Sequence, residues 1–561
     1  MIVGIDFGTS TSEIAYINKE GVPEVIPNHI GEIVTPSVVH IDEQGNPIIG
    51  REALDKLLIE PENTIIEIKR LLGTNEILTI REKDYRPVEI ASYIIAYLIE
   101  CARKHLEQPI TSAVITVPAF STDAQRRATI TAGELAGISV ERIINEPTAA
   151  SLDYGVDRRA DCNHILVYDF GGGTFDVTVL ELFEGVIDVN ASAGNNKLGG
   201  LNIDERLINH MQTAIEKKNK IKLASDLQAM TRLKKAAEET KIELSTSTTH
   251  DIDLPFLSTN KRGHPVGYAD EFTRESFNEL IEDLITSTKE HIDLALNDAS
   301  LKINQIDFVL LVGGTTKIPL VKDFLEAELG LNIKSHNDPV LSVVRGAAIE
   351  AGIIEGRYNE DALVLTDVAP YSLSTEVQYS NSFETYCDIL IKRNKTIPAS
   401  HGELYQTSYD NQTQVDITVY QGESEDPNEN ILLGKFNLAG IPKARAGKEA
   451  IKITFSYDLN GLLVVEGEIL SNGKSVVGEI DTSNNAGEVD LDDWRRSELM
   501  RKYRSVINRG DKILNDGIDD EDLYGEIKRL LQNLKRGLVL EQDETLLDEF
   551  KDELLDLYSE V

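Results

Sequence analysis

The sequence predicts a multidomain chain: an α/β region of two lobes, then an antiparallel β region, then a short helical tail. Three observations carry this. At 561 residues the chain exceeds what one hydrophobic core supports. Up to about residue 360, short apolar runs of buried-strand type alternate with amphipathic helical stretches. After "DALVLTDVAP" (Asp361 to Pro370) the period of the apolar residues changes to two.

The elements follow in order. "VGIDFGTSTSEIAYI" (Val3 to Ile17) reads as a strand, an Asp-Phe-Gly turn with hydroxyls, and a second strand. In "PVEIASYIIAYLIECARKHLEQ", Pro87 suits a first helical turn, and Ile90, Ile94, Tyr97, Leu98 and Cys101 fall on one face. "SAVITVPAF" (Ser112 to Phe120) and "DFVLLVGG" (Asp307 to Gly314) are buried-strand runs. "YDFGGGTFDVTVLE" (Tyr168 to Glu181) repeats the grammar of the first turn. Further on, Ile451, Ile453, Phe455 and Tyr457 alternate with polar residues, as do Val415, Ile417 and Val419, which predicts antiparallel strands with one wet face. The polar stretch "SNNAGEVDLDD" (Ser483 to Asp493) leads into a charged helical tail. The expected divisions are residues 1–360, a linker 361–368, a β region 369–482 and a helical segment 487–561.

Charge narrows the function. With 56 basic and 95 acidic residues the formal net charge is −39, and such a surface repels phosphate backbones and anionic lipid. Neither nucleic acid nor membrane is an expected partner. No apolar run approaches the ~18 residues of a spanning helix. The N-terminal residues lack a basic leader, and Cys101, Cys162 and Cys387 are odd in number and far apart, reading as reduced thiols. A cytoplasmic protein is expected.

The glycine turns carry the chemistry. Glycine lets backbone amides approach an anion without a Cβ in the way, and successive amides form an anion nest. A neighbouring hydroxyl reaches phosphate or metal, and an acid at the strand end can hold the water shell of Mg²⁺. Each turn therefore reads as half of a cradle for a Mg-nucleotide: Asp6, Gly8, Thr9 and Ser10 in one, Asp169, Gly171, Gly172, Gly173 and Thr174 in the other. One such turn is weak support. Two, about a domain length apart, suggest a duplicated lobe closing on one nucleotide. A third turn, "LLVGGTTKIP" (Leu310 to Pro319), suits the nucleoside, and "IKRLLG", "VPAFSTDAQR", "INEPTAA" and "NNKLGGLNID" fit the same site. Other nucleotide motifs fail: Gly473-Lys474-Ser475 lacks the glycine a P-loop needs at Glu468, and no His-Arg-Asp loop accompanies "DFG".

From Val3 to about residue 470 these motifs, in this order, resemble the DnaK-type chaperones of the heat shock protein 70 family, built on the actin-like ATPase fold. "LTDVAPYSLS" and "FSYDLNGLLVVEG" look closest to its short HscC-like branch. The resemblance implies ATP/ADP and Mg²⁺ as ligands, with K⁺ as a further candidate, and water attack on the γ-phosphate. Lys69 would steady that phosphate; Asp169 and Glu146 would order the water and the Mg²⁺ shell, with Asp6 and Asp176 helping to hold metal. Thr9 and Thr174 would touch phosphate or water. Gly199, Gly200, Glu238, Lys241, Ser245, Gly313, Gly314, Thr315 and Lys317 match nucleotide positions. Lys317 stands where many relatives have arginine, and "LGGLNID" has Leu201 and Asn202 in place of an acidic pair, departures that bear on nucleotide affinity.

The same resemblance makes Leu363, Val364, Leu365 and Asp367 an interdomain linker that docks with ATP bound. It makes Pro118 and Arg126 relay positions, and Arg142 the position that meets J-domain co-chaperones. The β region resembles a peptide-binding sandwich with Thr375, Gln378, Tyr405, Ser408, Val415 and Ile417 at its cleft, and the tail resembles a short lid. Clients would be unfolded polypeptide segments, with a nucleotide exchange factor completing the cycle. Thr375 and Gln378 are polar for such a cleft, so the preference for leucine-rich peptides is expected to be weak. Two alternatives stay open here: a dedicated binder that sequesters one protein, such as a transcription factor, and a sugar-kinase-like or filament-forming protein, which leaves the linker and β region unexplained.

Overall fold

The first strand, Ile2–Phe7, lies mid-sheet because its residues are apolar on both faces; Val3, Ile5 and Phe7 have no exposed surface. It pairs antiparallel with Thr11–Ile17 and parallel with Ser112–Val117, which pairs in turn with Ser139–Asn145. Pro23–Val25 and Thr35–Pro36 complete this six-stranded sheet. A second six-stranded sheet repeats the plan. Asn163–Phe170 lies between the antiparallel Phe175–Phe183 and the parallel Phe308–Val312, with Ile333–Ser335 beyond the latter and Val186–Asn195 beyond the former. Both hairpins that carry the glycine turns thus occupy the same place in their sheets. The computed structural model describes residues 1–155, 163–183, 185–260, 262–330, 333–335, 338–358, 364–379, 384–479, 499–516, scattered positions from 523 to 538, and 544–558.

The chain groups into two units, Met1–Ser372 with Leu390–Tyr405 and Ala450–Ser483, and Leu373–Ile389 with Gln406–Glu449 and Asn484–Val561. In the first unit, helix Pro87–Leu106 starts at the expected proline, and buries Ile90, Ile94, Leu98 and Cys101 against the first sheet. Tyr168, Phe170 and Phe175 stack edge-on in the second sheet, with centroids 4.8–6.1 Å apart, and anchor the core of that lobe. Helix Ser342–Ile354 packs between the sheets' central regions: a Cβ on Gly4 would lie 2.2 Å from the Ala348 amide nitrogen.

The period-two prediction holds strand by strand. Ala450–Tyr457 buries Ile451, Ile453, Phe455 and Tyr457 and exposes Lys452. It pairs antiparallel with Leu463–Ile469, in a four-stranded sheet with Ala399–Gln406 and Lys474–Glu479. In the second unit, Gln414–Gln421 lies between Leu373–Gln378 and Ile431–Ala439, antiparallel to both. Helices Met500–Asp516 and Glu544–Leu557 supply Tyr503, Ile507, Leu547 and Leu554 to a separate apolar cluster of that unit. Cys101 and Cys387 are buried free thiols, and Cys162 lies outside the described residues. Among the described residues no helix is long and apolar enough to cross a membrane.

Candidate functional site

The two glycine hairpins of the first unit face each other. A Cβ added to Gly172 would come within 2.5 Å of Ser10 Oγ, and one on Gly173 within 3.0 Å of Thr9 Oγ1. A side chain on either glycine would press on these hydroxyls, so the glycines let the two turns approach closely. The Gly171 amide closes the second turn on the Thr174 carbonyl at 3.1 Å. Ser37 Oγ holds the Gly8 carbonyl of the first at 2.9 Å. Behind the second hairpin, helix Gly200–Asn219 begins at Gly199. Its Gly200 and Leu201 amides donate to the Gly171 and Gly172 carbonyls at 3.0 and 2.8 Å.

Carboxylates converge at this junction. Asp6 and Asp169 are the next-to-last residues of the two central strands, and Asp176 lies opposite Asp169 in its hairpin. Burial and the neighbouring Glu146 push the carboxyls of Asp6 and Asp176 up to about 7. Burial, with Glu146, Asp176 and Asp6 close by, raises Asp169 well above the carboxylate range. Thr116 Oγ1 donates to Asp6 Oδ1 at 2.7 Å, and the Ala119 amide to Asp176 Oδ2 at 3.2 Å. Asp169 Oδ2 and Asp176 Oδ1 are buried with no protein partner. Lys69, itself buried, lies beside these acids and donates to Glu146 Oε1 at 2.6 Å. Glu146 opens helix Glu146–Gly155 directly after the strand ending at Asn145. Unpartnered acid oxygens in such a setting call for a cation, because removing anionic charge from water without compensation costs several kcal/mol, by rough estimate.

Beside the hairpins, Thr9, Ser10, Gly172, Glu238 and Lys241 line a cavity of about 370 Å³. Helix Leu227–Thr246 presents Glu238, Lys241 and Ser245 on one face. Lys241 Nζ donates to Asp204 Oδ2 at 2.7 Å, and Ser245 Oγ to the Lys241 carbonyl at 2.8 Å. Gly313, at φ +85°, turns the chain out of its strand into the short helix Gly314–Lys317; Thr315 Oγ1 donates to the Gly171 carbonyl at 2.7 Å. Lys317 is exposed, 4.0 Å from Asp338. Sequence reading missed Thr116, Ser37, Asp204 and Glu13. Glu13 is a buried acid paired in register with Asp6, with its Oε1 unpartnered. Nothing local marks these residues, since their partners are distant in sequence or across the sheet.

The linker positions lie at a sheet edge. Val364–Leu365 adds a parallel strand beside Val186–Ile187, and the Thr366 amide donates to the Ile187 carbonyl at 3.0 Å. Leu363 and the side chain of Val364 lie outside the described residues. Asp367 accepts from Asn145 Nδ2 at 2.8 Å and Thr148 Oγ1 at 3.2 Å. Arg126 sits in the first turn of helix Asp123–Leu135, set by a capping box between Thr122 and Gln125. Its buried guanidinium donates to the Ala119 and Asn460 carbonyls, both at 3.3 Å, and to Asn145 Oδ1 at 2.7 Å. Pro118 is buried just before, its carbonyl accepting from the Ser121 amide at 3.0 Å. Arg142 forms an ion pair with buried Glu350.

Of the cleft positions, Thr375 is buried and donates to the Thr418 carbonyl at 2.8 Å. Ile417 is buried, Val415 half-buried, and Gln378 and Ser408 are exposed. Tyr405, half-buried, lies on strand Ala399–Gln406 of the first unit.

A duplicated α/β fold with facing glycine hairpins, a buried lysine–glutamate pair and an acid cluster defines a nucleotide-hydrolysing protein. The family model described as Hsp70 protein matches residues 2–78 and 76–553. The chain is 43% identical over 523 residues to the Chaperone protein DnaK of Thermotoga petrophila, covering 91% of this chain and 87% of that one. It is 41% identical to that of Thermotoga neapolitana (95% and 88% covered) and 39% identical to that of Thermosipho melanesiensis (98% and 92%). The chain belongs to the Hsp70 family. It is an ATP-dependent molecular chaperone and an ATPase.

Proposed function

We propose that the facing hairpins grip the triphosphate of ATP, and that this grip times the binding and release of unfolded polypeptide. The observation that carries the reading is the meeting of Gly172 and Gly173 with Ser10 and Thr9 beside half-buried Asp6 and buried Asp169 and Asp176. Backbone amides of Gly8, Thr9, Ser10, Gly172, Gly173 and Thr174 donate to phosphate oxygens, and Gly171, whose own amide closes the turn on Thr174, shapes that nest. Lys69 neutralises charge on the γ-phosphate, and Glu146 with Asp169 orients the attacking water. Thr9 and Thr174 hydroxyls hold phosphate or that water. Hydrated Mg²⁺, held by Asp6, Asp169 and Asp176 with K⁺ as a second candidate ion, supplies charge compensation when bound; the orphaned Asp169 Oδ2 and Asp176 Oδ1 fit that role. Gly199, Gly200, Glu238, Lys241, Ser245, Gly313, Gly314, Thr315 and Lys317 receive the nucleoside and the outer phosphates. The chemistry is positioning plus electrostatic stabilisation.

In this reading residues 1–360 are the actin-like ATPase domain, 361–368 the linker, 369–482 a peptide-binding β-sandwich and 487–561 a shortened lid. Asp367, Arg126 and Pro118 relay nucleotide state to the cleft, a J-domain protein engages Arg142, and an exchange factor releases ADP. The site of action is the cytoplasm. The HscC-like placement rests on "LTDVAPYSLS" and "FSYDLNGLLVVEG" alone. The sequestering-regulator alternative draws no support from relatives named as chaperones along most of their length. The test is ATP turnover with and without a J-domain protein and a peptide library. Joint stimulation is expected, and a rate indifferent to both sinks the coupling.

A further inference from the structure

The turn Pro118–Phe120 connects the strand Ser112–Val117 to the helix that carries Arg126, and its backbone is held on every side. The Ala119 amide donates to Asp176 Oδ2 at 3.2 Å. The Ala119 carbonyl accepts from Arg126 at 3.3 Å. The Phe120 carbonyl accepts from two side chains remote in sequence: Asn196 Nδ2 at 2.7 Å and the Tyr371 hydroxyl at 3.0 Å. Asn196 Nδ2 lies 3.4 Å from that same hydroxyl, and the Tyr371 ring meets the Phe120 ring edge-on, centroids 5.2 Å apart at 84°. Tyr371 follows Asp367 by four residues in the first unit, where the chain enters the β region. The turn therefore has its Ala119 N–H on an acid of the ATPase centre and its Phe120 C=O on a residue beyond the linker.

We propose that Tyr371 is a positioning residue for ATP hydrolysis: its hydroxyl, acting with Asn196 on the Phe120 carbonyl, fixes the turn whose Ala119 amide aims Asp176. No part of Tyr371 is placed against nucleotide, so its effect is on geometry. A donor lost from a shared carbonyl leaves the turn free to rotate, and the Ala119 amide shifts with it. The hydroxyl also ties hydrolysis to the seating of the segment after Asp367, because the donor leaves the turn whenever that segment does. This second contact is separate from the Asp367 network on Asn145 and Thr148.

The inference rests on Asp176 belonging to the ATPase centre, and the experiment separates the two. In the full chain, Tyr371→Phe keeps the ring and deletes one hydroxyl. Single-turnover hydrolysis should slow about fivefold while ATP affinity stays within about twofold, as expected for a hydrogen bond acting on geometry rather than on binding. Asn196→Ala should slow it comparably. The double variant should slow less than the product of the two, since both donors serve one carbonyl. Tyr371→Phe with an unchanged rate, with rate and affinity falling together, or with effects that simply multiply overturns the proposal. Asp176→Asn is the control. If it leaves turnover intact, the reading of the centre fails; if it abolishes turnover while Tyr371→Phe does nothing, only the role of Tyr371 fails.

Discussion

Lys69 and Asp176 show how single residues set this site. Lys69 is buried and already bonded to Glu146 beside Asp6, Asp169 and Asp176, an ammonium that suits a developing charge. Lys69→Ala and Thr174→Ala should bind ATP within a few-fold of the unmodified chain yet hydrolyse it about 100-fold or more slowly, read by ligand titration and single turnover. Undiminished turnover in both removes the site. Asp176 makes a pH prediction. Its carboxyl is raised to about 7 by burial and by Glu146, above its ordinary 3.8 in the unfolded chain. The folded state therefore holds the proton more tightly than the unfolded state between those values. Its contribution favours folding below about pH 4 and is lost as pH rises towards 7. In chelator and without nucleotide, Asp176→Asn should thus gain melting temperature relative to the unmodified chain as pH goes from 5 to 7.5 (about the range of the shift). A constant offset across that range contradicts it. Asp6 and Asp169 titrate in the same surroundings, which is why the comparison is made as a difference between variants.

At the scale of elements, the hairpins and the helix behind them act as one part. Gly199 opens helix Gly200–Asn219, and a Cβ there would lie 2.4 Å from the Gly172 carbonyl oxygen, a backbone atom that cannot turn aside. Gly199→Ala should push the second hairpin off the helix and weaken ATP binding about tenfold, with little change in far-ultraviolet dichroism. The second sheet depends on Tyr168, Phe170 and Phe175. Phe175→Ala should destabilise that lobe by about 3–5 kcal/mol, seen as an earlier first transition in the melting curve. These elements were largely legible in the sequence. Alternating apolar residues and glycine turns act over a few neighbours, so helix Pro87–Leu106 and the strand Ala450–Tyr457 could be read with the correct buried face. Asp204, Thr116 and Glu13 were not legible. Their roles come from partners such as Lys241 and Asp6, which neither spacing nor composition signals.

For the whole molecule, the chaperone cycle makes its own demand on the β region. Thr375 is buried with its hydroxyl spent on the Thr418 carbonyl, and Gln378 is exposed. A peptide array should therefore show a weaker preference for leucine-rich segments than that of a DnaK, and an identical profile counts against the polar-cleft reading. The sequence placed Arg142 as a residue for a partner. The fold gives it an internal partner as well, because helix Ser342–Ile354 carries Glu350 beneath it.

What the sequence determined by itself was the kind of element at each place, the duplication of the phosphate turns and the family, since these rest on local backbone preference and ordered motifs. Only the tertiary structure decided that Gly172 meets Ser10, that Lys69 pairs with Glu146, and that Tyr371 reaches the Phe120 carbonyl. Each joins residues far apart along the chain, and such pairs form when two apolar sheets bury their faces and carry the polar turns together.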